Sequence, residues 1–378
     1  MPSQKVTIPG RNLVSYPVLR TIYRLIFLSS IFARLPFWIV GLLFRRQHPR
    51  WTFKQAFMCK LIRAMVYMDS CSENPVPLSL KPGKEKSRFE TYAPFPSEAY
   101  AGKLAGSKAA VPVTIGGTWY PEKPADMTKV SSVVMHIHGG AFVIDDGRTE
   151  ASGYTSNVYL EHGKVGVVFC PQYRLSSRPT NAPFPAAGQD VLTSYLHLVR
   201  TLGVAPEKIT VSGDSAGGNL VIMLLRYIAE HGSELGIPAP RSAILVSPWV
   251  SPIKSLWPDI TITSNPNYNS DFLGVEFCRW GIKTYAKVVD PADPYISPLG
   301  HPFATSVPIF VAIGAAEILE IDDTAWVGEM RRVEGNEVEV YYEPDAPHDT
   351  ILVGDRAGWR ESSQEVARRI GAFIRKHA

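Results

Sequence analysis

KITVSGDSAGGNLVIMLL, residues 208–225, changes character in its middle. Up to Gly213 it is a short apolar, β-branched run, which suits a buried strand better than a helix. From Ala216 it is a longer apolar run without Pro, which predicts a buried helix. The turn between them reads GDSAG, a G-x-S-x-G at Gly213, Ser215 and Gly217. Strand, glycine-flanked serine and helix in that order make a sharp turn that lifts the Ser215 hydroxyl above a sheet. The helix start also places the Ala216 amide where it could stabilise an oxyanion. Ser215 is therefore a candidate nucleophile.

The same alternation extends outward. Residues 111–120, 130–138, 165–173, 208–213, 241–247, 308–314 and 338–343 read as strands. Between or after them, 190–203, 216–232, 272–288, 322–335 and 362–377 read as helices. Apolar strands alternating with helices predict an α/β fold with a mostly parallel sheet covered on both faces. Residues 248–298 separate two strands by about fifty residues and contain Trp249, Trp257 and Trp280. A connection that long is usually an inserted cap. The expected organisation is a basic apolar segment (1–68), a loop-rich connection (69–110), and a catalytic domain (111–378) with a cap insertion at about 249–298.

Two further stretches bear on the serine. VVMHIHGGAF ends a strand at His138, Gly139 and Gly140, where backbone N–H groups can face an incoming carbonyl oxygen. Downstream, EPDAPHDT follows the last strand, so a loop could deliver His348 to Ser215 as a base suited to neutral pH. His138 is expected to hold its loop by hydrogen bonds, and His136 to be structural.

HGGAF, YRL (173–175), PFPAA (183–187) with Asp190, GDSAGGN, DPYISPL (293–299) and the late PHD together resemble the hormone-sensitive-lipase group of α/β-hydrolases. Fungal membrane-associated esterases of the steryl-acetyl-hydrolase and arylacetamide-deacetylase type are the more specific likeness. The resemblance implies an α/β-hydrolase sandwich capped by the N-terminus and an insertion. It also implies ester hydrolysis through an acyl-enzyme, without metal or cofactor. Two departures stand out: Ala141 replaces the third glycine of HGGG, and YRL continues as SSRP. In the family the acid lies between nucleophile and histidine, heading a D/E-x-L pattern. Glu317-Ile318-Leu319 fits, with Asp322 as the alternative; Glu320 and Asp323 complete the four acids of GAAEILEIDD (314–323). The implied set is Ser215, Glu317 and His348, with the amides of Gly139, Gly140 and Ala216 as oxyanion hole.

Composition is that of a globular protein, 45% hydrophobic and 20% charged. The four cysteines have no metal-like spacing and are expected as free thiols. The net charge of +4 conceals an asymmetry: residues 1–68 hold eleven Lys and Arg and no acid, Asp69 being the first. Residues 25–44 reach the length needed to span a bilayer. Arg34 and Pro36 interrupt them. A membrane anchor, spanning or interfacial, competes with helices packed over the protein's own site; a cleaved signal peptide fits less well. The expected partners are a small lipophilic ester and a membrane lipid surface, not nucleic acid. The expected location is a membrane, that of the endoplasmic reticulum, with the cytoplasm as alternative. The expected activity is deacetylation of a lipophilic alcohol, sterol or secondary metabolite. Acyl transfer, lactonisation or cyclisation by the same residues, and non-catalytic ligand binding, are the alternatives.

Overall fold

A computed structural model describes residues 12–378. Part of the basic segment, residues 1–11, lies outside the described residues. The eight strands are β1 (Phe89–Tyr92), β2 (Ile115–Tyr120), β3 (Val133–Ile137), β4 (Val167–Gln172), β5 (Ile209–Asp214), β6 (Ser242–Val246), β7 (Ile309–Gly314) and β8 (Val338–Glu343). They form one sheet in the order β1-β2-β4-β3-β5-β6-β7-β8. The β1–β2 and β2–β4 pairs are antiparallel and all the others parallel. The parallel α/β architecture expected from the alternating pattern is present.

Why the central strands carry no polar alternation is plain from their burial. β3, β4, β5, β6 and β7 are buried at every residue, because helices cover both faces. The helices are α1 (Pro17–Phe44), α2 (Phe53–Ser72), α3 (Thr149–Val158), α4 (Ala186–Leu196), α5 (Ala216–Leu235), α6 (Ile260–Thr263), α7 (Val275–Tyr285), α8 (Glu320–Arg331), α9 (Thr350–Ala357) and α10 (Arg360–Lys376).

Four features of the structure add to or change the expectations. Residues 69–110 are more than a connection: α2 runs on to Ser72, and β1 pairs with β2 inside that stretch. β1 has only four residues and sits at the sheet edge, too short for periodicity to reveal. Pro36 lies inside the apolar helix, and α1 runs through it for 28 residues. Helix α3, in the polar run TEASGYTSNV, has too weak an apolar stripe to be read from the sequence. The fourth concerns Asp323 and is taken up with the site.

The N-terminal helices form an antiparallel hairpin. Thr52 caps α2 through a capping box with Gln55. Arg24 of α1 pairs with Asp69 of α2, Phe27 stacks on Tyr67 at 5.9 Å, and Lys60 lies 5.3 Å from the Trp38 ring. α2 in turn packs on α7 of the 249–298 insertion and on α9. All four cysteines are free thiols.

On the opposite face, α10 crosses the helical turn that follows α3. A Cβ on Gly371 would lie 1.9 Å from the Gly163 carbonyl oxygen, so only glycine allows this approach. Gly371→Ala is expected to lose about 2–3 kcal/mol of stability through overpacking. Urea unfolding followed by circular dichroism would measure the loss, and a variant as stable as the parent would refute the packing argument.

Candidate active site

The β5–α5 turn is built from close backbone contacts. Ser215 has φ 50° and ψ −117°, a left-handed conformation costly for a residue with a side chain. It is held there because its amide donates to the Val246 carbonyl (2.9 Å) and its carbonyl accepts from Trp249 N (2.9 Å). A Cβ on Gly213 would sit 2.4 Å from the Gly217 backbone, and one on Gly217 would sit 1.9 Å from the Ile137 oxygen. The glycines therefore let α5 start directly against β3. Asn219 locks the helix start by donating to the carbonyls of Trp249 (2.8 Å) and Ile296 (2.7 Å).

The HGGAF loop lies against this turn. A Cβ on Gly139 would meet the Asp214 carboxylate at 2.3 Å and the Ser215 Cβ at 3.1 Å. Gly140, Ala141 and Phe142 follow with φ values of 85°, 50° and 64°. Ala141 is accommodated where the resembling family has glycine because α7 offers Gly281 opposite it. A Cβ on Gly281 would come within 2.9 Å of the Ala141 Cβ. The loop is fixed from below by Tyr173, whose hydroxyl donates to the carbonyls of Gly139 (2.9 Å) and His138 (3.1 Å).

The two upstream histidines have structural surroundings. His138 is buried, stacks on Tyr173 at 4.1 Å and bonds the Gly139 carbonyl (3.0 Å). Burial pushes it down to about 4, so it is neutral at physiological pH. His136 lies between Asp214 (3.2 Å) and Ser212 (3.2 Å) under the sheet.

Glu317 and His348 are brought together by the loops after β7 and β8. Glu317 Oε2 accepts from His348 Nδ1 at 2.8 Å, and Oε1 accepts from the Gly314 amide at 2.9 Å. That contact places Nδ1–H toward the acid and leaves Nε2 as the free acceptor of a neutral ring. Glu317 is fully buried and His348 nearly so. Burial raises Glu317, opposed by its histidine. Burial alone would lower His348, but the hydrogen bond and charge of Glu317, with Asp271 and Asp214 behind it, raise it. Ser215 and His348 border the same cavity, of about 390 Å³, with Gly140 at its rim.

The remaining acids of 314–323 divide. Asp322 accepts from Ser251 and from Lys254 (2.5 Å), tying α8 to the insertion. Glu320 opens α8, where an acid complements the helix dipole. Asp323, expected as ordinary helix-start decoration, is instead fully buried with no hydrogen-bond partner for either carboxylate oxygen among the described residues. Burial, then the neighbouring Glu317, Asp322 and Glu320, push it well above its ordinary range.

Sequence reading missed two groups beside the histidine. Asp349 follows it in a left-handed conformation (φ 52°), with its amide donating to Ser247 Oγ (3.2 Å). Burial and the adjacent Asp214 push it well above its ordinary range, while His136 keeps Asp214 below its own. Asp271, in the insertion, places a carboxylate oxygen within 4.8 Å of both Glu317 and His348. No local motif marks Asp271, and Asp349 enters the sequence reading only as the last residue of the late PHD, with no role assigned to it.

One side of the cavity is apolar, while Asp145, Glu150, Asp349, Asp355 and Arg356 also border it. Met58, Ile62 and Val66, spaced along one face of α2, oppose Phe272, Leu273 and Phe277 of the insertion. Ser215 and His348 border this cavity and Glu317 lies buried behind the imidazole, the three groups that a serine nucleophile needs.

A profile described as the alpha/beta hydrolase fold matches residues 134–352. An acetyl-hydrolase of Streptomyces hygroscopicus is 27% identical over 192 residues, 51% of this chain and 59% of that protein. The chain thus spans somewhat more than half of that relative's length. An esterase of Acinetobacter venetianus is 28% identical over 61% of this chain and 70% of its own length. Among solved structures, an esterase from the bacterial hormone-sensitive lipase family superposes with a TM-score of 0.58. It covers 91% of this chain and 97% of its own at 22% identity, a likeness of fold. With more than half of its length matched by the profile, the chain belongs to the α/β-hydrolase fold family.

Proposed function

We propose that this protein is a serine carboxylic-ester hydrolase that works through an acyl-enzyme. The observation that carries the reading is the buried 2.8 Å contact between His348 Nδ1 and Glu317 on the cavity that holds Ser215. In this reading Ser215 attacks the ester carbonyl and His348 Nε2 takes its proton. Glu317 orients the ring and stabilises the imidazolium. The amides of Gly139, Gly140 and Ala216 receive the oxyanion, each donor contributing about 2.7–4 kcal/mol to the transition state. His348 then protonates the leaving alcohol, and water frees the acid by the same steps in reverse.

The substrate is proposed to be a small acyl ester, such as an acetate, of a lipophilic alcohol, sterol or secondary metabolite. The apolar walls from α2 and the insertion support a lipophilic group, and the acetyl-hydrolase and esterase relatives are named for ester cleavage.

Membrane association belongs to the same proposal. α1 is long and apolar enough to cross a bilayer, yet its polar ties favour a helix lying in the interface. Asn12 is bonded to the Cys71 carbonyl (2.8 Å), Arg24 pairs with Asp69, and Leu42 is buried in the main core. A helix held to the body near both ends cannot stand across a membrane without breaking those contacts. Its outer face offers Ile26, Phe32, Phe37 and Phe44, between 65% and 87% exposed, to lipid. The endoplasmic reticulum is the proposed membrane.

Four outcomes are expected. A fluorophosphonate should label Ser215, and Ser215→Ala should abolish labelling; folded protein that takes no label would sink the hydrolase reading. Glu317→Gln should lower kcat for p-nitrophenyl acetate on the order of 10³- to 10⁴-fold, whereas Asp322→Asn should stay within about threefold, as for a partly exposed ion pair. A mild effect at Glu317 with a severe one at Asp322 would mean that the acid is wrongly assigned. Because His348 must be neutral to accept a proton and its pKa is raised, kcat/KM should fall on the acid side with a midpoint above 6.5. A midpoint below 6.5 would contradict the charge environment described above. Finally, the protein should sediment with membranes, and replacing Phe32, Phe37 and Phe44 by Ser should release it. Release by alkaline carbonate would favour the interfacial helix, and retention a spanning one.

A further inference from the structure

The turn that carries Glu317 is wrapped by a segment of the insertion with no recognisable motif. Asn265 Nδ2 donates to the Ile318 carbonyl (2.9 Å), Asn267 Nδ2 to the Glu317 carbonyl (3.0 Å), and Ser270 Oγ to the Ala316 carbonyl (2.9 Å). Asp271 completes the wrap in the opposite sense, as an acceptor. Its Oδ2 receives the Ile318 amide at 2.7 Å and its Oδ1 the Leu273 amide at 3.2 Å. The residue is fully buried, and a carboxylate oxygen lies within 4.8 Å of both the Glu317 oxygen and the His348 nitrogen. Next to it, the Phe272 ring meets His348 edge-on at 5.7 Å.

Burial pushes the Asp271 carboxyl above its ordinary range, while the charge of His348 and the amide bonds from Ile318 and Leu273 favour the ionised form. A buried charge needs compensation, and the cation nearest in the fold does not supply it directly. Arg63 of α2 donates to the main-chain carbonyls of Tyr268 and Asp271 (3.1 Å for the latter) and stacks 4.1 Å over the Tyr268 ring. It grips the backbone of the loop and not the Asp271 carboxylate. What the carboxylate faces is the imidazole.

We propose that Asp271 is a second acid of the site, a positioning carboxylate whose charge supports the His348 imidazolium while its two amide bonds hold the Glu317 turn in place. The inference rests on the hydrolase reading above. His348 also faces Glu317 and Asp214; Asp349, next in the chain, is pushed well above its ordinary range by burial and Asp214, and Glu343 behind Glu317 is pushed up to about 7 by burial. Asp323, behind the same glutamate, is likewise pushed well above its ordinary range by burial. Asp271 is thus one of three carboxylates that raise the proton affinity of His348 against its burial. Removing its charge should make the imidazolium less stable, which lowers turnover. The same change should let the ring stay neutral to lower pH.

The test compares Asp271→Asn, which keeps an oxygen for one amide and loses the charge, with Asn267→Ala, which loosens the same loop without touching charge. Asp271→Asn should lower kcat roughly 10- to 100-fold with KM within about threefold, and should move the acid limb of kcat/KM to lower pH by roughly half a unit to one unit. Asn267→Ala should lower Tm and leave the acid limb in place. An acid limb in Asp271→Asn that coincides with the parent's would overturn the proposal, whatever happens to kcat. Should Asp271→Asn not fold, Asp271→Ser supplies the same comparison, and failure of both to fold would make Asp271 purely structural and overturn it too. Parent protein inert toward every ester tried would instead defeat the hydrolase reading. The charge effect can still be read there from the downfield Nδ1–H resonance of His348, whose titration should shift in Asp271→Asn and would refute the inference if it did not.

Discussion

The close approach of α5 to β3 is the contact on which the rest of the site depends. With 1.9 Å between a hypothetical Gly217 Cβ and the Ile137 oxygen, the helix start and the strand end share one space. That crowding forces Ser215 into its left-handed conformation, and the parallel neighbour β6 fixes it there through the Val246 carbonyl. The backbone strain is sustained because strands buried on both faces leave the turn no room to relax. A serine on a relaxed turn would not stand between the HGGAF loop and the histidine loop.

A second layer of organisation comes from segments remote in sequence. α2, within the basic N-terminal segment, lines the cavity with Met58, Ile62 and Val66 and holds the insertion through Arg63. The insertion holds the Glu317 turn through Asn265, Asn267, Ser270 and Asp271. α7 makes room for Ala141 by placing a glycine opposite it. The cap segments therefore shape the catalytic loops as well as the substrate space. In this hairpin the inner helix lines the cavity while the outer one carries exposed apolar side chains.

The electrostatics around His348 are unusual in the number of buried acids. Glu317, Asp271, Asp214 and Asp349 surround it, and burial alone would drive protons onto all four. The protein divides the charge by hydrogen bonding. Asp214 has His136, Asp271 has two amides, and Glu317 has His348 and the Gly314 amide. Asp349 has only another carboxyl, Asp214, beside its own, and burial with that neighbour pushes it well above its ordinary range. The ring thus faces more negative charge than one glutamate would supply.

From sequence alone, the parallel α/β layering, the strand–serine–helix turn and the approximate place of the histidine loop could be read. These features are local: apolar periodicity and glycine spacing are properties of short windows. The family pattern singled out Glu317 among four nearby acids, and the 2.8 Å contact with His348 is where the structure puts it. The short edge strand β1, the buried Asp323, and the roles of Asp271, Gly281 and Arg63 could not be read in that way. Each depends on which distant segment lies opposite, and a carboxylate or a glycine carries no mark in its own neighbourhood of what it will face. Whether an apolar helix spans, lies flat or packs is likewise undecided by its composition. It follows from the contacts at its ends, and those form only once the chain has folded back on itself.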